Sequence, residues 1–308
     1  MKIIGIGNAI VDVLCKVSDD FLIKNSLTKG TMKLIEESEF KNLISTLKIE
    51  ETISGGSVAN SIVGISQLGN EVGFIGKIND DNFGEKYEEG LLKENVKYFY
   101  KKKKEPDNTG SCLILITPDS ERTMCAFLGT AGKISAEDIN EKVIMNSKIT
   151  FLEGYLWDKG SPKSAFDKAI KLSKITAMSL SDQFCVERHK DNFLELVKNK
   201  IDIVFGNEQE FISLINAKSF DEVIDFSKQL NKDIIITRGE KGAIAINQDQ
   251  VIKCGAIKNL NIKDLTGAGD LFAAGYLHGK INNFSIQESL EKGTELSSKV
   301  IQKIGARL

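Results

Sequence analysis

Histidine and cysteine are few in this chain, two and five in 308 residues, which gives a Cys/His hydrolase little support. Cys15, Cys112, Cys125, Cys185 and Cys254 are scattered, without metal-ligand spacing, and their odd number argues against a complete disulfide framework. They read as small apolar packing residues in a reducing, cytoplasmic setting. His278 follows Asp270 on one helical stretch, about 12 Å further along the axis, too far for a catalytic triad. His189, in the polar run 187–191, reads as a surface residue. No apolar run approaches a membrane span, and the first residues, Met-Lys-Ile-Ile-Gly-Ile-Gly, lack a signal-peptide pattern. Neither sign of charge dominates: 41 Lys and Arg face 43 Asp and Glu, a net charge of −2. That balance gives no general attraction to nucleic acid or to an anionic membrane. The lysine run 101–104 reads as a solvated strand end, since no aromatic residues interleave it. Internal repeats, low-complexity linkers and heptad seams are absent as well.

What the chain does have is an alternation of strand-like and helix-like segments. β-branched runs predict strands over 3–7, 71–78, 149–153, 176–180, 201–205 and 233–237. Helical periodicity predicts helices over 57–68, 83–93, 164–174, 192–198 and 220–230, with a further one from 270 to 278. This rhythm specifies βαβ units and a mostly parallel sheet covered by helices on both faces. Two stretches, 11–34 and 97–128, break it with short β-rich pieces and no long helix. They are expected to leave the main sheet and pair as a small, discontinuous β-lid.

The chemistry is concentrated in Asp264-Leu-Thr-Gly-Ala-Gly-Asp270. A glycine turn feeding a helix aims several backbone N–H groups at one spot, and the helix dipole adds positive character there. Gly267, Ala268 and Gly269 could steady a phosphoryl group while Asp270 takes a proton from an attacking hydroxyl. An ordinary turn with Asp270 as helix cap fits the same letters. Gly5-Ile-Gly-Asn-Ala-Ile-Val-Asp12 begins like a dinucleotide fingerprint, but its third glycine would fall on Ile10, which weakens an NAD-dependent reading. Asn8 and Asp12 then suit neighbouring sugar hydroxyls, or an Asx turn and a strand edge. Gly55-Gly56-Ser57-Val-Ala-Asn60 opens a helix, where two glycines admit a close ligand and Asn60 reaches it; a turn capped by Ser57 is the plainer reading. Asn207 starts another helix with Glu210 in its first turn, placed for a hydrated Mg²⁺ or simply for the helix dipole. Thr237-Arg-Gly239-Glu-Lys-Gly242 could admit nucleotide phosphate or ribose, or form a plain hairpin. All these pieces fall at expected C-terminal ends of strands, where open α/β sheets bind ligands.

Taken in this order, the motifs resemble the ribokinase-like carbohydrate kinase family, also called pfkB, over nearly the whole chain. The resemblance implies a three-layer α/β/α fold with a small β-sheet lid. It also implies an ATP-dependent phosphotransferase with an alcohol acceptor, working with Mg²⁺. Within the family the segments 7–12, 55–62 and 109–112 are most similar to adenosine kinases, which implies adenosine as the acceptor; a free sugar such as ribose or fructose is the alternative. By resemblance, Asp270 is the base and Gly267–Gly269 the anion hole, while Asn8, Asp12, Gly55, Gly56 and Asn60 hold the ribose. Arg122 closes over the transferring phosphate or is a plain strand arginine. Asn207, Thr237, Gly239 and Gly242 take ATP, and Glu210 takes Mg²⁺ through water. Asp264 and Thr266 resemble part of a K⁺ site, although Leu265 stands where the family usually carries a polar residue. Leu128 is a candidate purine contact. A small-molecule nucleoside or sugar and ATP are the expected partners, in a monomer or homodimer that binds neither nucleic acid nor membrane.

Overall fold

The computed structural model describes residues 1–119, 121–158 and 160–308. In chain order the strands are β1 (Ile3–Ile6), β2 (Val11–Lys16), β3 (Met32–Leu34), β4 (Ile49–Ser54), β5 (Val72–Ile75), β6 (Lys97–Tyr98), β7 (Ser111–Ile116) and β8 (Arg122–Phe127). They continue with β9 (Ile149–Glu153), β10 (Thr176–Ser179), β11 (Ile203–Asn207), β12 (Asp233–Thr237), β13 (Ala243–Asn247) and β14 (Gln250–Cys254). The large sheet runs in the order β14-β13-β12-β11-β10-β9-β1-β5-β6. From β12 to β6 every pairing is parallel; β13 and β14 close one edge as antiparallel strands.

Side-chain alternation along these strands builds two cores. Ile3, Phe151, Ile203, Phe205 and Ile235 pack with the helices Ser57–Gln67, Ala268–Ile281 and Ile286–Val300 on one face. Their chain neighbours Ile4, Leu152, Val204, Ile234 and Ile236 pack with Ser161–Leu172, Lys190–Asn199 and Glu208–Ile215 on the other. A period of two with both sets apolar is what a parallel sheet buried on both sides requires. Each such fully buried side chain contributes about 1.5–3 kcal/mol. Because β1, β9, β10, β11 and β12 are parallel, their C-terminal ends, at Ile6, Glu153, Ser179, Asn207 and Thr237, share one edge of the sheet.

The second sheet, in the order β3-β8-β7-β2-β4, stands over that edge as the lid. One of its faces, with Val11, Val13, Leu113, Leu115 and Phe127, joins the main core. Along its other face one row crosses four strands: Asp12 pairs with Cys112, Cys112 with Ala126, and Ala126 with Leu34. Two segments depart from the expected lid, 11–34 plus 97–128. Lys97–Tyr98 pairs with β5 in the large sheet, and Ile49–Ser54 joins the lid as an edge strand. The second is an exposed strand carrying Glu50 and Glu51, so it lacks the apolar signal that marks a strand in sequence. His189 corrects the surface expectation: it is buried, its ring 4.8 Å from Trp157, because the polar run ends where two helices meet. The five cysteines are free and buried, and among the described residues no helix is long and apolar enough to cross a membrane.

Candidate active site

The loop after residue 263 delivers Asp270 to the mouth of the sheet edge. Its helix, Ala268–Ile281, is capped by Gly267 in the left-handed region at φ 78°, where a Cβ would press within 2.6 Å of Ala306. The turn leaves the N–H groups of Gly267, Gly269 and Asp270 without a hydrogen bond among the described residues, whereas that of Ala268 is taken by the Leu265 carbonyl at 3.2 Å. Asp270 itself is held on both oxygens. Ser57 Oγ donates to Oδ1 at 2.6 Å, and Asn60 Nδ2 donates to Oδ2 at 3.0 Å. Burial pushes its carboxyl up to about 6, against the pull of those two donors and the charge of Arg307. An acid of that strength is mostly ionised at neutral pH yet basic enough to accept a proton.

Asp270 lines a cavity of about 570 Å³ that extends beneath the lid. Asn8 and Asp12 face the same cavity with Gly56, and Ser57 opens the adjoining helix, capped by Gly56 rather than by its own hydroxyl. Gly55 lies behind Asp12, where any Cβ would come within 2.3 Å of its carboxylate. Asn60 does not line the cavity. It is 6 % exposed and bridges Asp270 to Arg307, whose Nε donates to Asn60 Oδ1 at 3.0 Å. Burial pushes Asp12 up to about 7, opposed by Arg307 and Arg122 and reinforced by Asp270.

Glu153, at the end of β9, was not singled out by any sequence motif, yet it organises this end of the cavity. It is 1 % exposed and accepts from the Asn8 N–H at 3.3 Å, from Asn8 Nδ2 at 3.0 Å and from the Val58 N–H at 3.0 Å. A carboxylate is acceptor-only, so it fixes the Asn8 amide with its NH₂ inward. Asn8 Oδ1 is then buried without a partner among the described residues, a free acceptor at the cavity wall. Burial pushes Glu153 up to about 7, opposed by its three donors.

Arg122 lies on β8 of the lid and reaches down to the 264–270 loop. Its Nη2 is 3.0 Å from Asp264 Oδ2, with both side chains largely buried. Asp264 also accepts from Thr266 N at 3.0 Å, from Thr266 Oγ1 at 2.6 Å and from Gly305 N at 2.7 Å. Burial would raise the Asp264 carboxyl, but these donors and Arg122 together hold it below its usual value. Thr266 lines the cavity, whereas Arg122 and Asp264 do not.

The third group sits toward β11 and β12. Asn207 caps Glu208–Ile215 in a reciprocal box with Glu210, which is 4 % exposed and pushed up to about 7 by burial, with Asp182 adding to the rise. Asn207, Glu210 and Asp182 line the first cavity. Thr237 lines both this cavity and a second one of about 730 Å³, where Gly239 and Gly242 lie opposite Ile257, Leu260 and Ile301. Ala268 and Gly269 also border both, so the glycine turn is the wall between two compartments. The apolar residues of the second compartment carried no readable motif.

A site with a proton acceptor, free amide N–H groups and compartments on either side suits transfer of a group between two bound molecules. A family model described as pfkB family carbohydrate kinase matches residues 28–308. The 5-dehydro-2-deoxygluconokinase of Clostridium beijerinckii is 28 % identical over 87 % of this chain and 81 % of its own length. Adenosine kinase 2 of Arabidopsis thaliana is 25 % identical over 98 % of this chain and 94 % of its own. Among solved structures, the adenosine kinase of Sinorhizobium meliloti superposes with a TM-score of 0.91 and 34 % identity, covering 100 % of this chain and 95 % of that one.

Proposed function

We start from the fact that this chain belongs to the pfkB family of carbohydrate kinases, phosphotransferases with an alcohol group as acceptor, and propose that it moves the γ-phosphoryl of ATP to the 5′-hydroxyl of adenosine, giving AMP. The observation that carries this reading is the division of the first cavity. Beside the large sheet, the free Asn8 Oδ1 and the carboxylate of Asp12, on lid strand β2, offer two acceptors suited to a pair of sugar hydroxyls. Beyond Asp12 the lid wall is apolar, formed by Ile10, Leu34, Cys112, Met124, Ala126 and Leu128, suited to a flat base. Apolar surface removed from water there contributes about 25 cal/mol per Å². A sugar acid would instead bring its own negative charge toward Asp12, Glu153 and Asp270. The cation lining this cavity, Arg188, belongs to helix Gln183–Arg188, which packs on the Glu208–Ile215 helix of the donor side.

In this reading Asp270 accepts the hydroxyl proton as the substrate oxygen attacks phosphorus, a role worth about 10²–10⁴ in rate. Ser57 and Asn60 each engage one of its oxygens through one lone pair, and a carboxylate oxygen has a second. The free N–H groups of Gly267, Gly269 and Asp270 would meet charge on the transferring phosphoryl group; Gly267–Gly269 was the expected set, and Ala268 contributes through its place in the wall. The second compartment would take the nucleotide, with Thr237, Gly239 and Gly242 along the sheet and the apolar group at Ile257 and Leu260 against the base. Asn207 would border its phosphates. The lid would exclude water so that the substrate alcohol is the acceptor.

Glu210 and Asp182 would suit a hydrated Mg²⁺: both are hard oxygen donors lining the cavity, and their mutual repulsion would be relieved by a cation. Bound there, the ion would neutralise phosphate charge. The residues do not fit a K⁺ ion at Asp264 and Thr266 as well. The Asp264 oxygens already take two backbone N–H groups, the Thr266 hydroxyl and the Arg122 guanidinium, a cation in its own right. The free buried cysteines suit the cytoplasm.

The 5-dehydro-2-deoxygluconokinase similarity favours a second reading, a sugar-acid kinase. ADP release measured with Mg-ATP and a panel of adenosine, other nucleosides, ribose, fructose and 5-dehydro-2-deoxygluconate separates the two. The proposal expects adenosine to give the highest kcat/KM, and a sugar or sugar acid exceeding it tenfold would overturn the assignment.

A further inference from the structure

Three consecutive residues after the last helix are built into the site. Gly305 donates its N–H to Asp264 Oδ2 at 2.7 Å, and Ala306 packs so closely on Gly267 that no side chain fits between them. Arg307 enters between the lid edge and the substrate helix. Its Nε donates to Asn60 Oδ1 at 3.0 Å, Nη1 donates to Ser54 Oγ at 3.0 Å, and Nη2 donates to the Ser54 carbonyl. Asn60 in turn donates to Asp270 Oδ2 at 3.0 Å. We propose that residues 305–307 are part of the catalytic site and that Arg307 is a positioning residue for Asp270, acting through Asn60.

The direction of the relay follows from the chemistry of its ends. A guanidinium can only donate and a carboxylate can only accept. The amide between them must therefore present Oδ1 to Arg307 and Nδ2 to Asp270. Removing Arg307 leaves Asn60 Oδ1 buried with nothing to accept from, and the amide loses the contact that sets its angle. The charge of Arg307 acts on the same residues. Among the groups that face Asp270, Asp12 comes from β2 and Glu153 from β9, both acidic. Arg122, on β8, is engaged by Asp264. Arg307 is the cation whose field lowers both Asp12 and Asp270 and offsets the crowding of three carboxylates. The guanidinium is half-buried, its own charge disfavoured by burial, so its place is maintained by the acceptors around it. Because three separate contacts bind residues 305–307 to the loop and the substrate helix, a merely surface-packing role does not account for them.

This inference rests on Asp270 being the base, and the experiment keeps the two apart. Arg307→Met, Arg307→Lys and Asp270→Asn are assayed for ADP release with Mg-ATP and adenosine across pH 5–9, alongside thermal melting and ATP titration calorimetry. In Arg307→Met, kcat is expected to fall at least tenfold, KM for ATP to stay within twofold, and the acid limb of kcat to move to higher pH. Arg307→Lys keeps the charge but cannot reach Asn60 and Ser54 together, so its acid limb should stay in place while kcat falls several-fold. A folded Arg307→Met with parental kcat and acid limb, beside an inactive Asp270→Asn, overturns this inference alone. If Arg307→Met does not fold, parental kcat in Arg307→Lys overturns it. Parental kcat in Asp270→Asn overturns the base assignment, and this inference with it.

Discussion

Replacing Glu153 with glutamine should separate the two tasks of that buried carboxylate. Its ordinary value is 4.5 and burial pushes it to about 7 in the folded chain. A raised folded value means that the protonated carboxyl stabilises the fold fully below about pH 4.5, and that this contribution is lost as pH rises through 7. With each pKa unit worth about 1.4 kcal/mol, the loss is about 3 kcal/mol; Glu153 is 1 % exposed, so solvent screening does not reduce it. Glutamine does not ionise. Its melting temperature should therefore fall less than the parent's between pH 5 and 8. Asp12, Glu210 and Asp270 are also raised and titrate in both proteins, so the difference between the two curves isolates Glu153. The functional effect runs the other way. The new amide N–H₂ would face either the Asn8 N–H₂ or the Val58 N–H, so the Asn8 amide is expected to turn its Oδ1, the acceptor otherwise open to the cavity, toward it. A hydroxyl facing an occupied acceptor loses about 1–3 kcal/mol, so KM for the nucleoside should rise by about 5–150-fold with little change in kcat. Differential scanning calorimetry and initial-rate kinetics read both. Equal pH slopes in parent and variant, or an unchanged KM, would refute the reasoning.

Three further outcomes are expected. Arg122→Gln and Asp264→Asn should each lower kcat/KM by about tenfold, and a double-mutant cycle should show that the effects do not add, since the pair links lid to loop; full additivity would contradict the link. Met124→Glu places a charge on the apolar lid wall and should raise the nucleoside KM by roughly 100-fold, about the cost of an unpaired buried polar group, while KM for ATP stays constant. The kcat of the parent should decline below about pH 6 as Asp270 protonates; a flat kcat from pH 5 to 8 would argue against Asp270 as the base.

The elements legible in sequence were those whose residues report their own environment. Strands 149–153 and 233–237 match the expectation to the residue because both are apolar runs buried on two faces. β4 was missed because an exposed edge strand reads as a polar loop, and β6 because two residues set no period. The glycine turns were visible for a similar reason, since left-handed backbone at Gly56 and Gly267 demands a particular letter. Partners remote in sequence left no such mark. Glu153 reads as a strand's last residue, and its bonds to Asn8 and Val58 exist only once β9 lies beside β1. Arg122 and Asp264 carried separate expectations, a phosphate clamp and a cation site, and their pairing emerged from the fold of lid over loop. Arg307 follows the last helix in a segment without periodicity, and its contact with Asn60, 247 positions earlier, exists only in the folded chain.

Asp270→Asn tests the central claim most directly. Nucleoside and ATP binding should be measured by calorimetry, and the phosphoryl-transfer step by single-turnover quench with adenosine. The expected result is nucleoside affinity within about threefold of the parent and a transfer rate lower by about 10²–10⁴. A variant that binds both substrates and transfers phosphoryl at the parental rate would contradict the account.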